Sequence, residues 1–346
     1  MLNNNIGLAL EILSIYLAYA YEHNLHNEIF KIKKIRKKIY YGDLDAIKYV
    51  LNCLSNIIKE NCGKFAEDIN YNIDDKYFSQ MLSNSREYLL DSNNANEVPL
   101  AIIIGGQQGS GKTGLVSNSL KEILTKDIVI LDLDAYRGFC KNCFELIKNY
   151  PNMYAEITNR YVGKIMENLT NEIIKKKYNF IFEGTLGRSA YTLDLLLNSE
   201  VKYKIIVKIM AVCREESLLS IFERYIKSYK KIGLGRLTSI ESHDETYNKF
   251  TERIKNIDEK KFIVEVYCKD SKTFESKLIY KTGYKDNIYK NAYVALIEGR
   301  KRNYDEYKKD FKLRLDNINS NMIVLNDNEK VISEIIKLNQ LFSLII

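Results

Sequence analysis

Several things are scarce in this chain, and each scarcity removes a class of function. Only 3 histidines occur in 346 residues, and His23, His26 and His243 do not cluster with the cysteines, which argues against a metal site built from Cys and His. The 6 cysteines are scattered at positions 53, 62, 140, 143, 213 and 268, which is no disulfide framework in a chain of this length. Cys140-Lys-Asn-Cys143 stands alone, without a second pair, and reads as free thiols in a reducing compartment. No long apolar run is present: Ile6 to Tyr21 is broken by Glu11, lacks preceding basic residues and is short for a bilayer span. A cytoplasmic protein without membrane contact is expected. Charge of one sign is also modest. A net +7 suits a protein that handles phosphorylated ligands and is weaker than the footprint of a dedicated nucleic-acid binder, so no nucleic-acid partner is expected. The 2 prolines, among many Asn, Lys, Ile and Tyr residues, reflect compositional bias and carry no function.

What is present centres on Pro99 to Leu115, PLAIIIGGQQGSGKTGL. Leu100–Ile104 reads as a buried strand, and Gly106-Gln-Gln-Gly-Ser-Gly-Lys112-Thr113 fits G-x-x-x-x-G-K-[ST] at every position. Gly106, Gly109 and Gly111 leave room for backbone N–H groups to turn around a polyanion, with Ser110 between them. A helix opening near Lys112 adds its positive end. Lys112 would reach the β- and γ-phosphates of a nucleoside triphosphate, and the Thr113 hydroxyl would hold Mg²⁺.

Residues 1–66 read as a small helical bundle. It comprises Ile6–His23, a helix over Glu28–Tyr41 with Ile29, Ile32, Ile35 and Ile39 on one face, and a third over Asp43–Asn61 capped by Asp43. Lys31, Lys33, Lys34, Arg36, Lys37 and Lys38 read as the solvated surface of the second helix. The polar stretch 63–75 marks a boundary. Strands then alternate with helices: Leu100–Ile104, Ile128–Leu133, Phe180–Phe182, Ile205–Val212 and Phe262–Val266, with helical patterns such as Thr113–Leu124, Ala155–Lys176 and Ser217–Lys230 between them. The expected fold is α/β, a doubly wound and mostly parallel sheet of the P-loop kinase type over residues 75–286. Residues 287–346 are expected as a peripheral helical extension.

In such a sheet ligands sit at the carboxyl ends of the strands, so Asp132, Asp134 and Glu183 should face the loop. Phosphoryl transfer to a hydroxyl needs a carboxylate to take the proton, and all three are candidates; Asp132 reads equally as Mg²⁺ support. Arg224 and Arg236 follow the fourth strand and read either as phosphate clamps or as surface ion-pair partners.

Taken in order, GGQQGSGKT, LDLD, EGT, ERY and the GR…H-D stretch resemble the zeta-toxin kinases of toxin–antitoxin systems, over roughly Asp75 to Tyr280. The resemblance implies phosphorylation of the 3′-hydroxyl of the sugar in UDP-N-acetylglucosamine by ATP or GTP with Mg²⁺, toxic to cell-wall synthesis. It implies Lys112 on the phosphates, Thr113 on the metal, Asp134 as base, and Glu167, Glu183 and Thr185 on the sugar nucleotide. Arg224 and Arg236 would clamp the triphosphate. Gln108 replaces the family's usual proline, and Gly187-Arg188 shifts its usual arginine by one position. The family's toxins are often held by a small helical antitoxin, so residues 1–66 resemble such a module fused in cis; a separate antitoxin in trans is the other expectation. Two other readings remain: a kinase of another small-molecule or nucleic-acid hydroxyl, and a non-enzymatic nucleotide-binding switch.

Overall fold

The structure, a computed structural model, describes residues 2–61, 73–90, 93–123, 127–151, 153–185, 189–270, 275–322 and 329–345. Cys62, Arg188 and most of the expected boundary at 63–75 lie outside them.

The chain opens with α1 (Leu2–Glu22), α2 (His26–Tyr40), α3 (Leu44–Tyr49) and α4 (Ser55–Asn61). Asp43 caps α3 as expected, its carboxylate accepting from the amides of Asp45 and Ala46. The single helix expected over Asp43–Asn61 is instead two, joined by a π-helical turn at Val50–Leu54. Then follow α5 (Asp75–Leu90), β1 (Leu100–Gly105), α6 (Lys112–Glu122), β2 (Val129–Asp132), α7 (Leu133–Arg137), α8 (Cys143–Asn149), α9 (Tyr154–Lys175) and β3 (Phe180–Gly184). The second half comprises α10 (Ser189–Asn198), β4 (Lys204–Ala211), α11 (Arg214–Ile232), α12 (Ile240–Lys255), β5 (Ile263–Lys269), β6 (Ser276–Lys281), α13 (Ala292–Ser320) and α14 (Glu329–Phe342).

The strands form one six-stranded sheet in the order β2-β3-β1-β4-β5-β6. All pairings are parallel except β5 with β6. β1 is central and nearly all buried, as an apolar run between two parallel neighbours must be. Register positions the chemistry: Asp132 pairs with Glu183 across β2 and β3, and Glu183 pairs with Ile104 across β3 and β1. The acids therefore lie side by side at the carboxyl edge, where β1 runs into the loop. β6 has no counterpart among the expected strands, because Ser276-Lys-Leu-Ile-Tyr-Lys mixes polar and apolar residues at a sheet edge. The helix expected at the periphery, α13, packs on β4 and β5 and helps cover the sheet.

α1 is apolar around its whole circumference, and a helix of that kind must be enclosed. Ile12, Leu13, Ile15, Leu17 and Ala18 are wholly buried. The helix packs against α2, α6, α7, α8 and α11, and its side chains join the core cluster that contains the sheet. Among the described residues no helix is long and apolar enough to cross a membrane.

Candidate active site

The loop between β1 and α6 has the shape its glycines permit. Gly109 and Gly111 take φ of +74° and +85°, and Gly111 serves as the left-handed N-cap of α6. A Cβ on Gly109 would lie 2.1 Å from the carbonyl oxygen of Ser217, so only glycine fits there. Lys112 Nζ rests 2.9 Å from the carbonyl of Gln107, and Thr113 Oγ1 donates to Glu183 Oε1 at 3.3 Å. Among the described residues the buried Ser110 hydroxyl has no hydrogen-bond partner.

These residues open onto a cavity of about 900 Å³ whose walls include Lys112, Thr113, Asp134, Glu183, Thr185, Arg224 and Arg236. The sequence scatters them over more than 120 positions; the sheet's carboxyl edge gathers them. Burial, reinforced by the charge of Asp132, raises the Glu183 carboxyl to about 7, against the pull of Lys112. Burial likewise lowers Lys112. Asp134 goes the other way: burial disfavours its charge, but Arg236, Arg137 and Arg224 hold it well below the usual carboxylate range. Arg236 Nη1 lies 2.9 Å from Asp134 Oδ2, and Arg137 Nε 3.1 Å from Oδ1.

Glu167 is placed elsewhere. It is exposed on α9 in a separate pocket of about 260 Å³, where Tyr191 donates to its carboxylate at 2.8 Å. Phe182 stands between the two, lining both cavities.

Three further residues reach the site from the N-terminal helices. Glu11, its side chain 1% exposed, sets its carboxylate 3.2 Å from Arg224 Nε and 3.8 Å from Arg236 Nε, and accepts from the backbone N–H of Arg236 at 3.2 Å. Neither Nε is aligned for a hydrogen bond, so these are charge contacts. Arg36 corrects the surface reading of its basic run: it is buried, donates to Asp132 Oδ2 at 2.8 Å and to Ser14 at 2.6 Å, while Tyr40 donates to the same carboxylate oxygen at 3.1 Å. The other oxygen of Asp132 caps α7 by accepting from the N–H of Asp134. The sequence does carry signals for both: a single acid in an otherwise apolar helix, and an arginine sharing a helix face with Ile32 and Ile39.

The donor set fits a nucleoside triphosphate with magnesium. The loop offers backbone amides and an unpartnered Ser110 hydroxyl, and there is open space beside Gly111. The Thr113 hydroxyl and neighbouring carboxylates are hard oxygen donors, and Mg²⁺ commonly takes only one or two of these from protein. Among the described residues no cluster of His, Cys, Asp and Glu forms a self-sufficient metal site, and the five described cysteines are free.

The sequence profile of the zeta toxin family matches residues 86–285, so α1 to α4 lie outside the matched span. Toxin PezT of Streptococcus pneumoniae is 30% identical over 210 residues, 59% of this chain and 82% of that toxin. Toxin zeta of Streptococcus pyogenes is 29% identical over 175 residues, 50% of this chain and 61% of that toxin. A solved structure from the PezAT chromosomal toxin–antitoxin system of Streptococcus pneumoniae superposes with a TM-score of 0.56 at 25% identity, covering 72% of this chain and 98% of that one. With the profile spanning more than half of its length, the chain belongs to the zeta toxin family, P-loop kinase-type toxins of toxin–antitoxin systems.

Proposed function

We propose that this chain transfers the γ-phosphoryl group of ATP or GTP to the 3′-hydroxyl of the sugar in UDP-N-acetylglucosamine, acts thereby against cell-wall synthesis in the cytoplasm, and is restrained by its own N-terminal helices. The observation that carries the reading is the convergence of Lys112, Thr113, Asp134, Glu183, Arg224 and Arg236 on one cavity. A nucleotide-binding switch needs no acceptor-side base, whereas a kinase needs these parts together.

In this reading Lys112 leaves the Gln107 carbonyl for the β- and γ-phosphates, and Arg224 and Arg236 take the charge of the transferring group. Thr113 would hold Mg²⁺, with Asp132 in support; the ion, when bound, would supply neutralisation of phosphate charge. Asp134 accepts the proton of the attacking hydroxyl. Glu183 and Thr185 orient the sugar nucleotide, and Glu167 approaches it from the neighbouring pocket.

The restraint follows from Glu11. Its carboxylate lies between the arginines that phosphate oxygens would occupy, while Arg36 and Tyr40 engage Asp132. Arg236 meanwhile pairs with Asp134, which keeps the base poorly basic. Nucleotide entry and docking of α1 therefore compete.

The test is a transfer assay with ATP, Mg²⁺ and UDP-N-acetylglucosamine, read by product mass, on the full chain, Glu11→Gln and Asp134→Ala. A singly phosphorylated sugar nucleotide that increases in Glu11→Gln and vanishes in Asp134→Ala is expected. ATP consumption without that product would redirect the reading to another hydroxyl. Nucleotide binding with no transfer to any acceptor would favour a switch.

A further inference from the structure

The phosphate loop is fastened from behind by a buried hydrogen-bond chain that no part of the reaction uses. The Gln107 side chain is fully buried, and its amide donates to the Val212 carbonyl at 2.8 Å and to Ser217 Oγ at 3.2 Å. Ser217, in the first turn of α11, lies 2.8 Å from Nε2 of His243, in the first turn of α12. His243 Nδ1 lies 3.0 Å from Asp244, whose carboxylate takes Arg214 in a two-point pair at 2.7 and 2.6 Å.

The chemistry gives the chain a direction. A carboxylate only accepts, so the imidazole proton sits on Nδ1 and Nε2 is left as an acceptor. The Ser217 hydroxyl, which also lies 3.0 and 2.9 Å from the carbonyls of Cys213 and Arg214, is the donor that faces Nε2, and its oxygen accepts from Gln107. Burial lowers the His243 pKa, in keeping with a neutral ring. The order Ser, His, Asp is that of a nucleophilic triad, but Ser217 and His243 are both 0% exposed, so no substrate reaches the hydroxyl.

What the junction joins is more informative. Gln107 belongs to the loop whose carbonyl holds Lys112. Ser217 stands on the helix that carries Arg224, and its carbonyl oxygen abuts Gly109. His243 opens the helix that follows directly on Arg236 and its loop. The three segments bearing cationic groups for the triphosphate thus meet at one hydroxyl.

We propose that Ser217 and His243 are positioning residues that register Arg224 and Arg236 against the phosphate loop. The proposal rests on that loop being the nucleotide site. The test measures ATP affinity by calorimetry in the full chain carrying Glu11→Gln, which frees the cavity, together with thermal unfolding of each variant. Ser217→Ala and His243→Ala should each weaken ATP about tenfold, the cost of orphaning a buried polar group. His243→Gln, which returns an acceptor near the Nε2 position, should stay within about twofold of its parent. The double variant Ser217→Ala/His243→Ala should lose about tenfold rather than a hundredfold, since both act through one contact. Lowered melting temperatures with unchanged ATP affinity would overturn the proposal and leave a packing role. ATP binding unaffected by Lys112→Ala would instead overturn the nucleotide-site reading, and this proposal with it.

Discussion

Replacing Glu11 by glutamine keeps the shape of α1 and removes one charge from between two arginines. The carboxylate stands 3.2 Å from one guanidinium and 3.8 Å from the other, and in a medium of effective dielectric about 20 each attraction is about 4–5 kcal/mol. Three corrections reduce that figure. The Arg224 side chain is 35% exposed and partly screened, neither attraction is a hydrogen bond, and a buried carboxylate carries a desolvation cost that glutamine relieves. Docking should therefore weaken by about 2–3 kcal/mol, and if nucleotide binds only the undocked state, apparent ATP affinity should rise about 30- to 150-fold. The assay is calorimetric titration of the full chain with Mg·ATP, wild type against Glu11→Gln. Affinities equal within about twofold would refute the competition between α1 and nucleotide, whatever the kinase assay gives.

Four further outcomes are expected. Arg36→Met breaks a buried pair and leaves Asp132 and Ser14 short of a donor; denaturant unfolding should show a destabilisation of about 3–5 kcal/mol. Gly109→Ala places a Cβ against the Ser217 carbonyl in a left-handed backbone, and ATP binding should be lost, as read by calorimetry. Asp134→Ala should abolish transfer while ATP titrations still show binding, because the phosphate loop is untouched. Glu22, which accepts from the Phe144 N–H where α1 meets α8, is raised by burial to about 7. Its folded pKa lies above its unfolded one, so its contribution is full below about 4.5 and is lost as pH rises through 7. Thermal unfolding should reveal about 3 kcal/mol of this slope, absent in Glu22→Gln.

The sheet is legible in the sequence wherever chemistry and hydrophobicity coincide. The strand before GGQQGSGKT is apolar because it is central, and the acids of LDLD and EGT follow strands because parallel sheets bind ligands at that edge. β6 is hidden because an edge strand interspersed with Lys and Ser has no long apolar run. The role of α1 is hidden for a different reason. Glu11 in an apolar helix is a sufficient argument against a membrane span, but its partners are set by tertiary packing. Arg36 lies 96 residues from the carboxylate it serves, and no local pattern encodes that pairing. The resemblance puts Glu167 on the sugar nucleotide; its side chain lines the pocket that adjoins the main one.

Because α1 shares its apolar core with the sheet instead of resting on the enzyme's surface, the carboxylate proposed to restrain the site travels with it at a fixed one-to-one ratio. Docking is then unimolecular. Its equilibrium does not shift with dilution, with expression level or with the division of a cell's contents between daughters. Under that proposal specific activity should stay constant across enzyme concentration, and release comes from something that competes for the cavity or loosens the helix.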